Sequence, residues 1–307
     1  MAADTLEGIV TKAQSGFFTV ETPGGALVCK VRGLLERKRL DTDILAVGDR
    51  VHVQPLHAGH GQIIDILPRS RVLSRRDPQA GRREREQIIV ANPDQAVFVF
   101  ACAQPEPRVG MLDRFLVMAE SVGLPAVVCA NKADLVTPER ARELFGLYAA
   151  IGYVVLYTSA ALGTGLETLR AQIAGKLSVM AGPSGAGKTS LLNALQPGLG
   201  RRARAISRAT AKGRHTTVVP ELLPLDGGGY LADTPGLRAL ALWDVEPEEI
   251  DAYFPEIRSW VSGCAFSDCT HTHEPGCAVR EALAAGRIHP ARYASYVRMR
   301  TGRPGDE

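Results

Sequence analysis

No stretch of this sequence is long and apolar enough to cross a membrane. The longest apolar run, Ala96 to Ala103, is eight residues, against roughly 20 for a spanning helix. The opening residues, MAADTLEGIV, lack the basic segment and apolar core of a secretory leader. A cytoplasmic location and no membrane partner are therefore expected. Charge of one sign is also scarce. Thirty-six Lys and Arg face 33 Asp and Glu, a net of +3, so the whole-protein field is weak. Cysteine is sparse, six in 307 residues. Cys29, Cys102 and Cys129 are scattered through apolar, strand-like segments and read as buried thiols acting as small hydrophobes. Cys264, Cys269 and Cys277 fall within 14 residues beside histidines, which in a cytosolic protein favours metal over disulfides.

What is present is ordinary globular material. Apolar residues make up 45% and charged residues 22%, in a chain long enough for two or three domains. The basic residues are clustered. Residues 69–87 hold seven arginines against three acids, and residues 201–214 hold five arginines and one lysine with no acid. Such stretches suit phosphate backbones, or serve as solvated surface loops.

Four segments follow. Residues 1–68 read as short strands, Leu6–Thr11, Phe17–Thr22, Ala26–Val31, Arg50–Gln54 and Gln62–Leu67, with Ser15-Gly16 and Pro23-Gly24-Gly25 as hairpin turns. Five strands in so short a span fit a small barrel of the OB type, with an SH3-like barrel as the alternative. Residues 69–92 read as an Arg-rich linker. From 93 to 244 the pattern alternates: strands at Ala96–Ala101, Ala126–Ala130, Tyr153–Tyr157 and Leu177–Met180, helices at Gly110–Val122, Pro138–Ala150 and Gly165–Ala174. That is an α/β domain with a mostly parallel sheet. Residues 245–307 have little strand character and read as a small, mostly helical domain stapled by a metal.

Gly182-Pro183-Ser184-Gly185-Ala186-Gly187-Lys188-Thr189 satisfies G-x-x-x-x-G-K-[ST] between a strand and a helix at Thr189–Leu195. Glycines let backbone N–H groups turn towards phosphate oxygens, and the helix that carries Thr189 and Ser190 aims its N-terminus at the anion. Lys188 would reach the β- and γ-phosphates, and the Thr189 hydroxyl would ligate Mg²⁺. Asn131-Lys132-Ala133-Asp134 after an apolar strand matches N-K-x-D. A carboxylate at Asp134 can accept from guanine N1–H and its exocyclic amine, whereas adenine would leave it facing a lone pair. Asn131 is expected at the base edge, and the Lys132 stem over the base. Thr158-Ser159-Ala160 fits a second base loop, with a backbone N–H for guanine O6.

Asp233-Thr-Pro-Gly236 matches D-x-x-G; Asp233 would hold Mg²⁺ through water and the Gly236 N–H would touch the γ-phosphate. Gly213-Arg-His215-Thr216-Thr217 lies where a first switch belongs, with Thr217 preferred to Thr216 as Mg²⁺ ligand and γ-phosphate sensor. Ras-like enzymes place a water-orienting glutamine after the D-x-x-G glycine. Leu237 stands there, so unassisted hydrolysis should be slow and His215 is the nearest group able to position water. Cys264-x₄-Cys269-x-His271-x₅-Cys277 offers three thiolates and an imidazole, a closed tetrahedral Zn²⁺ set, with His273 as a rival for the imidazole.

In sequence order the base readers at 131–134 and 158–160 precede the phosphate loop, first switch and D-x-x-G. In ordinary GTPases they come last. This is a circular permutation, which close termini permit, and it runs the second switch straight into the cysteine-rich segment. With GPSGAGKT, GRHTT, DTPGL, LWDVEPEEI and CAFSDCTHTHEPGCAV in this order, essentially the whole chain resembles the RsgA (YjeQ/EngC) family of circularly permuted ribosome-assembly GTPases. The resemblance implies binding to the small ribosomal subunit and its rRNA, hydrolysis of GTP to GDP stimulated by that subunit, and ribosome contacts by barrel and zinc domain. It also implies His215 as the catalytic histidine and Cys264, Cys269, His271 and Cys277 as zinc ligands. A monomer is expected, with any N-terminal extension short or absent. Two other classes compete: a nucleic-acid-binding module with a merely structural nucleotide site, and a P-loop ATPase or small-molecule kinase.

Overall fold

Short turns decide where the first strands meet. A computed structural model of the chain describes residues 5–32, 45–76, 86–200, 203, 221–233 and 245–302. In it Ser15 and Gly16, both at positive φ, join β1 (Leu6–Gln14) to β2 (Phe17–Thr22), and β3 is Gly25–Val31. β4 (Arg50–Pro55) and β5 (His60–Ile66) complete a closed barrel in the order β1-β2-β3-β5-β4. β3 runs parallel to β5, and every other pair is antiparallel. That order is the Greek-key OB barrel and not the SH3-like alternative. Alternate residues Val10, Val20, Cys29, Val51, Val53 and Ile63 fill its interior.

The segment 69–92, expected as a linker, carries paired strands. β6 (Val72–Arg76) and β7 (Glu86–Ala91) are antiparallel. Leu73 and Val90 are buried in the same core as the central sheet, and Ile88 and Ala91 pack on Ala46 of the barrel. The apolar residues of these strands are few and flanked by arginines, which hid the alternation. Gly48, at φ +90°, lets the barrel approach β7, since a Cβ there would sit 2.0 Å from the Ala91 carbonyl oxygen. Next to it the fully buried Asp49 carboxylate takes two 2.7 Å hydrogen bonds from Arg69 and one from the Ala46 amide.

The central sheet has the order β10-β9-β8-β11-β13-β12, with β8 Gln95–Ala101, β9 Ala126–Asn131, β10 Val154–Tyr157, β11 Leu177–Ala181, β12 Leu223–Pro224 and β13 Tyr230–Asp233. All pairs are parallel except β12 with β13. The helices are α1 (Val109–Ser121), α2 (Pro138–Ala150), α3 (Leu166–Ile173) and α4 (Lys188–Leu195). Period-two strands divide the core. Phe98, Phe100, Val128 and Val179 meet Leu112, Phe115, Leu116, Phe145 and Tyr148 on one face. Val97, Val99, Val127 and Met180 meet Leu169, Ile173, Leu191 and Leu192 on the other. Successive strands move outward one way from β8 and the other way from β11. The crevice at their carboxyl ends is where open α/β sheets bind ligands.

The last described segment is helical, as expected: a 3₁₀ helix at Pro247–Tyr253, then α5 (Pro255–Val261), α6 (Ala278–Ala284) and α7 (Pro290–Arg300). Its core of Ile250, Phe254, Ile257, Val279, Ile288 and Tyr296 includes Val117 from α1. Arg292 of α7, 1% exposed, crosses to Asp113 of α1 at 2.7 Å and to Glu256 of α5 at 2.6 Å. Among the described residues no helix is long and apolar enough to cross a membrane.

Candidate nucleotide site and metal centre

β11 ends at Ala181, and residues 182–187 turn the chain into α4. Gly182, Gly185 and Gly187 take φ of 148°, 81° and 90°, a region that side chains rarely adopt. Space demands glycine as well. A Cβ at Gly182 would lie 2.0 Å from the Val99 oxygen of β8, and one at Gly187 would lie 2.4 Å from Asn131 Nδ2. The Lys188 ammonium spans the loop, donating to the Gly182 oxygen at 2.6 Å and the Pro183 oxygen at 2.9 Å. It is thereby held against the carbonyls that open the loop. Ser184, Gly185 and Ser190 are exposed and Pro183 and Thr189 half-buried, while Gly182 and Ala186 are buried.

Asn131 ends β9, with its backbone oxygen accepting from Cys102 N–H just past β8. Its side chain is 1% exposed. Nδ2 donates to the Ala186 oxygen of the phosphate loop at 2.9 Å, and Oδ1 accepts from the Thr158 hydroxyl at 3.1 Å. Asn131 thus ties both base loops to the phosphate loop, where a base-edge contact was expected of it. Lys132, at φ 57°, lays its stem towards Gly187 and donates to the Gln104 carbonyl. Asp134 projects an exposed carboxylate from the short 3₁₀ turn Ala133–Leu135, and the Ala133 amide bonds to the Thr158 oxygen. Ser159 is buried, its hydroxyl accepting from Leu162 N–H at 3.0 Å, and Ala160 is half-buried beside it.

Gln104, which accepts from Lys132, is a neighbour that the motifs did not single out; Thr158, the first residue of the expected second base loop, contributes its hydroxyl to Asn131. Burial pushes the nearby Cys129 thiol up to about 12, against a hydrogen bond to Thr158, and the Cys102 thiol up to about 11. Both are inert thiols, in keeping with their apolar sequence setting. Asp233 closes β13 opposite Met180 of β11. Met180 is two residues before Gly182, where the phosphate loop begins. His215, Thr216, Thr217, Gly236 and Leu237 lie outside the described residues, as do residues 77–85 and most of the basic stretch 201–214.

Cys264, Cys269, His271 and Cys277 converge, with all four ligand atoms within 4.8 Å of one another. His271 Nδ1 is 3.4 Å from Cys264 Sγ and 3.5 Å from Cys277 Sγ, and those two sulfurs are 3.9 Å apart. A tetrahedron with Zn–S of about 2.3 Å and Zn–N of about 2.0 Å has edges of about 3.5 to 3.8 Å. The donor set and its spacing therefore fit one zinc ion. His271 Nε2 faces Asp251 Oδ2 at 3.1 Å. Burial opposes the Asp251 charge, but the His271 bond outweighs it and lowers its pKa. A carboxylate there assigns the proton to Nε2 and leaves the Nδ1 lone pair facing the sulfurs. Burial likewise opposes the Cys277 thiolate. The Arg280 amide and the contacts with His271, Cys269 and Cys264 outweigh that and lower its pKa. His273, the rival ligand, has its side chain 80% exposed and bonds Thr272.

A parallel sheet whose base loops precede its phosphate loop, with both held together at the sheet's carboxyl edge, defines a circularly permuted P-loop GTPase. The sequence model of the RsgA GTPase family matches residues 66–243, and that of the RsgA N-terminal domain matches residues 7–63. The chain belongs to the RsgA GTPase family and, as a member, hydrolyses GTP to GDP with Mg²⁺. It is 49% identical over 296 residues to the small ribosomal subunit biogenesis GTPase RsgA of Gemmatimonas aurantiaca, covering 95% of this chain and 96% of that one. The RsgA of Moorella thermoacetica is 42% identical over 292 residues, with 95% of each covered. The crystal structure of YjeQ from Thermotoga maritima superposes with a TM-score of 0.82 at 38% identity, over 99% of this chain and 100% of that one. YloQ, described as a circularly permuted GTPase, gives 0.76 at 31%, over 97% and 95%.

Proposed function

We propose that the protein binds the small ribosomal subunit and its rRNA during late maturation, in the cytoplasm and as a monomer. GTP hydrolysis stimulated by that subunit marks its release. The observation that carries the reading is the 2.9 Å bond from Asn131 to Ala186, which joins a guanine-reading loop to a phosphate-binding loop 55 residues later. The names of the relatives, each a small ribosomal subunit biogenesis GTPase, supply the partner.

In this reading Asp134 selects guanine, with Asn131, Lys132, Ser159 and Ala160 around the base. Residues 182–190 hold the phosphates. Lys188 and the Gly236 amide stabilise charge on the γ-phosphate. Thr189, Thr217 and Asp233 serve Mg²⁺, and His215 positions the attacking water. Zinc at Cys264, Cys269, His271 and Cys277 is structural, because four protein ligands leave no open position. The functional units are the barrel at 1–68, the joining segment at 69–92, the GTPase unit at 93–244 and the zinc unit at 245–307.

The test is phosphate release from GTP with purified small subunits, with large subunits and with neither. Stimulation by small subunits alone is expected. Equal rates in all three would remove the ribosomal role, and an unaltered stimulated rate in His215→Ala at unchanged nucleotide affinity would remove the histidine's.

A further inference from the structure

The barrel has a covered side and an open one. On the covered side, β1 packs Ile9 and Ala13 against the central-sheet core, and its Thr11 carbonyl accepts from the Leu222 amide at 2.8 Å. β3 and β5 lie across the barrel from β1, with β2 next to β3. Val20, Cys29 and Ile63 of these strands fill the interior, so the strand period of two turns Phe17, Thr19, Val28, Lys30, His60 and Gln62 outward. Register sets them in rows. Thr19 pairs with Val28 and Val28 with His60, while Lys30 pairs with Gln62. Phe17 stands beside Lys30, whose ammonium lies 4.7 Å from the ring centroid.

Phe17 is 45% exposed and Val28 41%. A single exposed apolar residue is ordinary on any surface, but here two share one face. The turn that borders the face adds Leu56, 55% exposed, and ties itself to β3 where the Val28 amide donates to the Gly59 oxygen at 2.9 Å. Charge on the face has one sign at the Phe17 end. Lys30 is exposed, and exposed Arg32 follows just past β3. The only acid of β2 and β3, Glu21, stands at the far end opposite Ala26. An aromatic ring with a cation beside it, ringed by a hydroxyl, an imidazole and a carboxamide, suits a ligand with a flat π-face, hydrogen-bonding edges and a negative backbone. Strands 2 and 3 of OB barrels bind oligonucleotides in this way. A duplex keeps its bases stacked on one another and so offers the ring nothing, whereas an unpaired base does.

We propose that the outer face of β2, β3 and β5 binds single-stranded RNA, with one unpaired base stacked on Phe17 and Lys30 meeting an adjoining phosphate. This rests on the reading of small-subunit rRNA as the partner, and it names the form of RNA that the barrel meets and the place where it does so. The Lys30 ammonium covers one face of the ring and the base takes the other. The flexible Lys30 stem reaches from the ring to the strand's backbone. Nothing on this face belongs to the nucleotide site, so basal GTP turnover is independent of it.

Full-length Phe17→Leu, Phe17→Tyr and Lys30→Gln are compared with wild type in three measurements. These are basal GTP turnover, cosedimentation with purified small subunits in a non-hydrolysable GTP analogue, and anisotropy titration of a short fluorescent RNA, single-stranded or paired with its complement. Turnover should stay within about twofold in every variant, which reports an intact fold. Phe17→Leu keeps an apolar side chain but removes the ring. It should weaken single-strand binding by about five- to thirtyfold, the scale of one lost stack, and leave duplex binding within about twofold. Phe17→Tyr should bind the single strand as wild type does. Lys30→Gln should reduce the slope of log affinity against log salt by about 0.7, the share of one phosphate contact in a single strand. Full single-strand affinity in Phe17→Leu overturns the inference and reassigns the face to apolar packing against a protein; so does an equal loss for strand and duplex. Cosedimentation of wild type with small subunits would then still uphold the functional reading. Its absence overturns that reading, while selective loss of the single strand in Phe17→Leu would still uphold the face. If Phe17→Leu fails to fold, Lys30→Gln reads the same face, and an unchanged salt slope overturns the inference.

Discussion

In the proposed site Asp134 carries the choice of base, a role one carboxylate can fill because it accepts two hydrogen bonds from guanine. Asn131, 1% exposed, is committed to Ala186 and Thr158, so the exposed Asp134 is the group left to meet the base. Asp134→Asn replaces an acceptor pair by an acceptor and a donor. GTP affinity should fall by about 10²-fold or more while ATP affinity hardly changes. Competition binding with both nucleotides reads this, and an unchanged GTP-over-ATP ratio would sink the base assignment. Gly187→Ala attacks the same junction from the other side. Its Cβ, 2.4 Å from Asn131 Nδ2 at φ +90°, must push the base loop off the phosphate loop. Affinity for GTP and GDP should drop together by about 10²-fold, with a stability loss of about 1–3 kcal/mol. Loss of one nucleotide only would contradict it.

Glu274 poses a pH question at this same scale. Burial raises its pKa. The Thr270 hydroxyl and the amides of Thr270 and His273 outweigh that and hold the carboxyl far below its ordinary value of 4.5. A depressed folded-state pKa means the stabilisation is complete above pH 4.5 and is lost as pH falls below it. Glu274→Gln should therefore be less stable than wild type at pH 7, by about 1–3 kcal/mol, and the gap should narrow steadily as pH falls below 4.5. Denaturant midpoints across that range measure it, and a gap independent of pH would refute the sign.

At the scale of elements, legibility followed local signals. Pro138–Ala150 matches the sequence reading because proline at the first turn fixes its start and a helical apolar period runs through it. Phe17–Thr22 lies between two turns and was equally plain. The strands at Val72–Arg76 and Glu86–Ala91 were missed, for their short apolar cores sit among arginines, and the core that buries Leu73 and Val90 is distant in sequence. Helix Pro255–Val261 was missed as well, being too short at seven residues to display a period. In the site, residue types were legible and connections were not. Thr158 reaches Asn131 across 27 residues and Asp251 reaches His271 across 20, distances at which no spacing rule operates. Arg292 is the extreme case, meeting Asp113 across 179 residues. Arg292→Ala would leave Asp113 and Glu256 buried without their cation and should cost about 3–5 kcal/mol. Arg292→Met, which keeps the packing against Phe254 at 4.3 Å, leaves the same charges unpaired and should not restore stability. If it did, packing and not charge would hold these helices.

At the scale of the whole molecule, two kinds of joint hold the parts to the sheet. The barrel meets it through backbone pairing at β1, and the buried Asp49–Arg69 bond fixes the segment that joins the two. The C-terminal helices meet it through Val117 and Arg292 on α1, the helix that starts beside the base-site loop at Gln104. Their own core is small and is closed by the Cys264, Cys269, His271 and Cys277 cluster. With zinc held there as proposed, its binding would be folding free energy, on the order of 10 kcal/mol for structural zinc in small peptides. Removing the metal by chelation at neutral pH should therefore loosen residues 245–302 while the sheet persists, because neither of its core faces is built mainly from that segment. Hydrogen exchange reads the outcome peptide by peptide. Protection should fall in 245–302 and along α1, which lends Val117 and Asp113 to the joint, and should hold in β8, β9 and β11. GTP affinity should change by less than about threefold, since the base and phosphate loops stand on those strands. Loss of protection throughout the sheet would mean that the cluster supports the whole molecule and not one part of it.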